Sequence, residues 1–184
     1  ILALDTLSRS FDVIEASGVL HHLADPLAAW QRLLSLLRPG GVMNVGLYSE
    51  LARRHVVRGR AFIADKGYDA SADGIRRCRQ ELMASEDPLL REITASGDFF
   101  SLSGCRDLLF HVEEHRLTLP QIAAFIAAQG LTFLGFETTA AVRLHYRGTF
   151  PDDKAMTNLD QWHAFEVANP RAFAAMYQFW VQKP

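Results

Sequence analysis

The sequence is poor in the features that commit a chain to a secreted, membrane-embedded or nucleic-acid-bound existence. It has only two cysteines, Cys78 and Cys105, which match neither the number nor the spacing of a disulfide framework or a zinc site. They read as reduced thiols of a cytoplasmic protein. It has no run of about 18 uninterrupted apolar residues, the length a membrane span needs; the most apolar stretch, Leu119 to Phe136, is broken by Pro120, Gln121, Gln129 and Gly130. No basic segment precedes an apolar one near Ile1, so the first residues do not read as a signal peptide. An excess of one charge is also missing. Nineteen Lys and Arg stand against 21 Asp and Glu, a formal charge of -2, which excludes a global field drawing the chain onto nucleic acid or an anionic membrane. Internal repeats and low-complexity tracts are absent.

What remains is a composition able to build a core: 184 residues, 49% hydrophobic and 22% charged, with 12 Phe and 3 Trp, the profile of one soluble globular domain. Phe11 to Val19 is a short apolar run without a helical stripe, read as a strand buried on both faces. Asp25-Pro26 opens a helix as N-cap and first helical residue, and Leu27, Trp30, Leu33, Leu34 and Leu37 follow at spacings of three and four. Arg38 suits the negative end of that helix, Pro39 stops it, and Gly40-Gly41 turn into a second strand, Val42 to Tyr48. Strand, helix and strand make a parallel βαβ unit, hence an α/β fold. Thr118 to Gln121 starts another helix, ended by Gln129-Gly130 ahead of a strand from Leu131 to Glu137.

Between these units, residues 50–116 show no alternating pattern and read as helices: Leu51 to Ala64, a Ser71-capped segment to about Met83, and Gly104 to Arg116. Residues 1–49 and 117–184 supply the sheet and its covering helices. An insert following a parallel strand leaves from the carboxyl end of the sheet, the ligand side of open α/β folds, so a cap is expected there. Near the C-terminus, Asp152 to Asn169 is polar apart from residues such as Trp162 and Phe165. Tyr177 to Val181 is read as a closing strand, with the end of a helix begun at Pro170 as the alternative.

The run FDVIEASGVLHHLADP, followed by LLRPGG and VMNVGLYS, resembles the fourth strand, following helix and fifth strand of class I S-adenosylmethionine-dependent methyltransferases. TLPQIAAFIAAQGLTFLGFE is similar to that family's last long helix and the strand after it. The resemblance implies a Rossmann-like methyltransferase sheet, S-adenosylmethionine as cofactor, and methyl transfer to a small-molecule acceptor. Residues 50–116 would be the family's variable substrate cap. It also implies that the glycine-rich turn, the ribose-binding acid and the adenine-proximal Asp precede Ile1. The expected partner is then the N-terminal half of the same domain, without which cofactor binding and turnover would be lost. The alternative is a non-catalytic interaction or cofactor-sensing module on the same fold.

On this alignment Ser17, Gly18 and Val19 lie at the carboxyl end of the first strand, where the cofactor would rest. His21 and His22 are candidate general bases, since imidazole titrates near neutral pH. Residues 50–80 hold eight Lys or Arg against four acids, and Arg53 is placed to hold an acceptor carboxylate or phosphate. Tyr48, Phe99, Phe100 and Tyr146 are candidates for lining an acceptor pocket. His111 to His115 also fits the H-x-x-E-H pattern of a zinc peptidase class on a helical face, though no metal site is expected from so short a pattern.

Overall fold

The computed structural model describes Leu4, residues 7–111 and residues 114–184. β1 (Phe11–Ala16) and β2 (Leu37–Ser49) pair in parallel through α1 (Pro26–Leu36). The Asp25 carboxylate caps α1, accepting the Ala28 amide at 2.9 Å, and Pro26 occupies the position where a missing N–H costs nothing. β1 stops at Ala16 rather than Val19. The chain then bends through Gly18 into a 3-10 turn at Leu20–His22.

The Arg38–Gly41 stretch differs from expectation as well. It does not lie outside the strand but bulges within β2: Phe11 is opposite Leu37, whereas Val13 is opposite Val42. Arg38 does not serve the helix end. Its Nη1 donates to both Asp12 carboxylate oxygens, at 2.8 and 2.9 Å, and ties the bulge to β1. The cation at the end of α1 is Lys183, whose ammonium donates to the carbonyls of Leu34 (2.9 Å) and Leu37 (2.8 Å). Lys183→Met should lower the midpoint of thermal unfolding, with a stability loss of about 1 kcal/mol, because two carbonyls lose a charged donor. An unchanged melt would show that water replaces the ammonium without cost.

One compact unit comprises residues 53–112. It contains α2 (Arg54–Lys66), α3 (Ala72–Ala84), α4 (Pro88–Ile93), a 3-10 turn at Gly97–Phe100 and α5 (Leu102–Leu109). Ser71, Asp87 and Ser101 cap α3, α4 and α5 through their side chains. Val56, Ile75, Cys78, Ile93, Phe99 and Cys105 are fully buried in its core. Burial pushes the Cys78 thiol up to about 12 and raises that of Cys105, so neither is a reactive thiolate. α5 ends at Leu109, well short of Arg116, and Arg116 belongs to a strand.

The other unit comprises residues 1–52 and 113–184. After β1, α1 and β2 it continues with β3 (Arg116–Leu117), α6 (Leu119–Ala128), β4 (Thr132–Phe136), α7 (Ala140–Thr149), α8 (Leu159–Ala168) and β5 (Tyr177–Gln182). A reciprocal capping box between Thr118 and Gln121 starts α6. The sheet order is β1-β2-β5-β4, with β3 extending the end of β2 in parallel. β5 is antiparallel to both neighbours, which makes the sheet mixed. Its alternation decides the faces. Tyr177, Phe179 and Val181 stand beside Leu47, Val45 and Met43, and all six are fully buried. Trp30 stacks on Phe125 at 4.2 Å and meets Phe179 edge-on, joining α1 and α6 to this face; each such side chain contributes about 1.5–3 kcal/mol by burial. Among the described residues β1 pairs only with β2, and its Val13 is 57% exposed. No helix among the described residues is long and apolar enough to cross a membrane.

Candidate functional site

The carboxyl ends of β1, β2 and β4, with the start of β5, form one rim of the sheet. Ser17, Gly18 and Val19 form the turn at this rim. Gly18 has φ +73, and among the described residues nothing beyond its own chain neighbours lies within 4 Å of where a Cβ would stand. The glycine is thus required by the backbone turn, and the space beside it is open. Val19 is 43% exposed. The Ser17 hydroxyl lies 3.7 Å from the Met176 sulfur. Gly46, in the middle of β2, makes this approach feasible: a Cβ there would sit 2.8 Å from Ser17 Oγ and 2.9 Å from Met176 Sδ. A glycine inside an apolar strand was the available signal for that close approach.

The structure brings His21, His22 and Tyr48 together. His21 is fully buried, its ring stacked on Tyr48 with centroids 3.6 Å apart, and its carbonyl accepts the His115 amide at 2.8 Å. His22 is half-buried and meets His21 edge-on at 4.4 Å and Tyr48 at 5.8 Å.

The remaining candidates are more dispersed. Arg53 is 7% exposed and starts α2, its carbonyl accepting the Val57 amide. Phe99 is fully buried in the core of the 53–112 unit, while Phe100, perpendicular to it at 5.4 Å, is 61% exposed. Tyr146 is a core residue rather than a pocket wall: it stacks on Trp162 at 3.7 Å, and its hydroxyl donates to Asp153 at 2.6 Å. Burial and that hydrogen bond hold its phenol well above the ordinary range. Of the His111–His115 pattern, Val112 and Glu113 lie outside the described residues. His111 and His115 are not on a helix, and the described residues contain no group of His, Cys, Asp or Glu able to hold a metal.

Two features of the rim were not foreseen. Glu166 of α8 is fully buried, and its carboxylate accepts the Ser49 hydroxyl at 2.5 Å and the Tyr177 hydroxyl at 2.7–2.8 Å. The Ser49 oxygen in turn accepts the Ala52 amide at 3.0 Å. Burial raises the Glu166 carboxyl above its usual range, partly offset by these hydroxyls and by His163. The second feature is a cleft of about 840 Å³ beyond the end of β4, walled by the first turn of α7 and the segment leading into β5. No local sequence signal announces either.

Comparison with known proteins accords with this architecture. A family profile described as "Methyltransferase domain" matches residues 1–43. An uncharacterized protein of Synechococcus sp. is 31% identical over 141 residues, covering 71% of this chain and 33% of that protein. The ubiquinone biosynthesis O-methyltransferase of Parvibaculum lavamentivorans is 38% identical over 53 residues, covering 29% of this chain and 21% of the relative. The structure of PKMT2 from Rickettsia typhi superposes with a TM-score of 0.72 at 13% identity, over 98% of this chain and 36% of that one. Its complex with AdoHcy gives 0.73, also at 13% identity, over 99% and 38%. At such identity these two structures speak for the fold. The chain spans between 21% and 38% of the length of these relatives. Its first 43 residues match a methyltransferase domain, and the chain is similar to class I S-adenosylmethionine-dependent methyltransferases over part of the length of these larger relatives.

Proposed function

We propose that this chain forms one wall of the cofactor cleft, together with the acceptor side, of an S-adenosylmethionine-dependent methyltransferase acting on a small molecule. The observation that carries the reading is the turn at Ser17-Gly18-Val19: a positive-φ glycine at the carboxyl end of a parallel strand, with open space beside it. These three residues would hold the cofactor, which when bound supplies an electrophilic methyl group on a sulfonium sulfur. The chain's own task is to orient the acceptor for in-line approach, where positioning yields most of the acceleration. His22 takes the proton released by a hydroxyl or amine nucleophile, and His21, locked against Tyr48, fixes the direction from which His22 does so. The 53–112 unit leaves the chain just past the carboxyl end of β2 and serves as the acceptor cap, with Arg53 and Phe100 as its candidate contacts. β1, an exposed edge among the described residues, receives the remaining strands of the domain, which supply the rest of the cofactor site.

The test separates turn from cofactor at Gly18. Valine at φ +73 would strain the backbone whatever its effect on ligand, so Gly18→Asn is the informative change, because asparagine tolerates the left-handed region. In the intact protein this variant should melt close to the parent and bind S-adenosylmethionine about tenfold more weakly in calorimetric titration. Equal affinity in both proteins would make Gly18 a turn residue only and remove the cofactor from this rim.

A further inference from the structure

We propose that the cleft at the end of β4 is an oxyanion site, in which Arg143 and Arg171 hold the carboxylate or phosphate of the methyl acceptor. Its charged lining consists of Arg143, Arg171 and Glu137. The acid is already engaged: Glu137 Oε1 accepts Asn44 Nδ2 at 3.1 Å and Trp180 Nε1 at 2.5 Å, which draws the carboxylate onto the sheet. The Arg143 guanidinium is held in place by the Thr138 carbonyl. Thr138 Oγ1 is buried and makes no hydrogen bond among the described residues, and two guanidinium groups belong to the lining. A planar guanidinium fork matches carboxylate and phosphate oxygens in pairs.

The surroundings suggest what carries the anion. Val142, Ala172 and Phe173 make part of the lining apolar, and an adjoining hollow of about 390 Å³ shares Val142, Arg171 and Ala172 while adding Phe165. Such a space suits a small molecule with an apolar body and an anionic end. Met176, another lining residue, is the one that touches Ser17, so the anion lies one side chain away from the Gly18 turn. The identification of this ligand as the acceptor rests on the methyl-transfer reading above; the anion site itself does not.

The experiment titrates the intact, ¹⁵N-labelled protein with inorganic phosphate, with benzoate, and with neutral benzamide, recording amide shifts. Expected are saturable shifts at residues 138–143 and 171–176 with one or both anions and none with benzamide. Phosphate and benzoate separate a phosphate preference from a carboxylate one. Arg171→Ala, with its melt recorded to confirm the fold, should weaken the binding about tenfold, and Arg171→Lys should restore part of it. Arg143→Ala should act in the same direction. Calorimetric titration with S-adenosylmethionine runs beside it. Absent or non-saturable shifts, or equal affinity in Arg171→Ala, overturn the anion site even if the cofactor binds. Anion binding in a protein that never binds the cofactor upholds the site and overturns its assignment to a methyl acceptor.

Discussion

Glu166→Ala should reduce the free energy of unfolding by about 3 kcal/mol. Two hydroxyls, those of Ser49 and Tyr177, would lose their acceptor in a site from which water is excluded, and a cavity would replace the carboxylate. The loss should come with a pH signature. Burial raises the Glu166 carboxyl in the folded state above its unfolded value, so its contribution is fully present below an unfolded pKa of about 4.5 and declines as pH rises through the higher folded value. Glu166→Gln keeps an acceptor and cannot ionise. The parent should therefore lose stability relative to this variant as pH increases from about 4.5 toward neutrality. Urea unfolding of parent, Gln and Ala variants across that interval measures both effects. Parallel pH profiles for parent and Gln variant would mean that the carboxyl titrates as it does in the unfolded chain.

Asp153→Ala should cost about 2 kcal/mol, with the opposite dependence on pH. Asp153 organises the connection between α7 and α8. It accepts the Tyr146 hydroxyl at 2.6 Å and the amides of Thr157 and Asn158 at 3.2 and 3.0 Å. Burial alone would raise its carboxyl, but these donors outweigh that and hold it below the ordinary range. A lowered folded pKa contributes stability above the unfolded value of about 3.8 and loses it as pH falls through the folded value. Partial solvent access at Asp153 keeps the figure modest, because water screens and replaces part of the network. The Tyr146–Trp162 stack sits directly behind it, so near-ultraviolet circular dichroism should report the loss alongside the melt. A retained aromatic signal and an unshifted melt in Asp153→Ala would show that the loop holds its shape without the carboxylate.

Much of the fold was legible in local patterns. Asp25-Pro26, Ser71 and Thr118 with Gln121 each mark a helix start, because a cap satisfies amides within a few residues of itself. The apolar runs of β1 and β2 around α1 identified a parallel unit, since so short a connection carrying a single helix leaves little choice of topology. The segment at Tyr177, read as a strand with a helix end as the alternative, is β5, and the structure shows its residues alternating between buried and half-buried. α7 and α8 were not read, and α8 has a physical reason to hide: Trp162, Phe165 and Glu166 are all buried, so it presents no clean polar face.

For the candidate site, adjacency in sequence was informative and pairing at a distance was not. Ser17, Gly18, His21 and His22 could be placed at one rim because they follow a strand end directly. That His21 rather than His22 turns inward onto Tyr48 depends on the register of β2 and on the 3-10 turn, neither of which is written in a His-His pair. The sequence by itself determined where backbone donors find local partners and where apolar residues recur with a helical or strand period. Only the tertiary structure decided the rest: that β5 lies antiparallel between β2 and β4, that Lys183 caps α1, and that Glu166 meets a serine 117 positions away. Those choices depend on which distant surfaces exclude water together, and a buried carboxylate or a long cation takes whichever polar partners that packing leaves within reach.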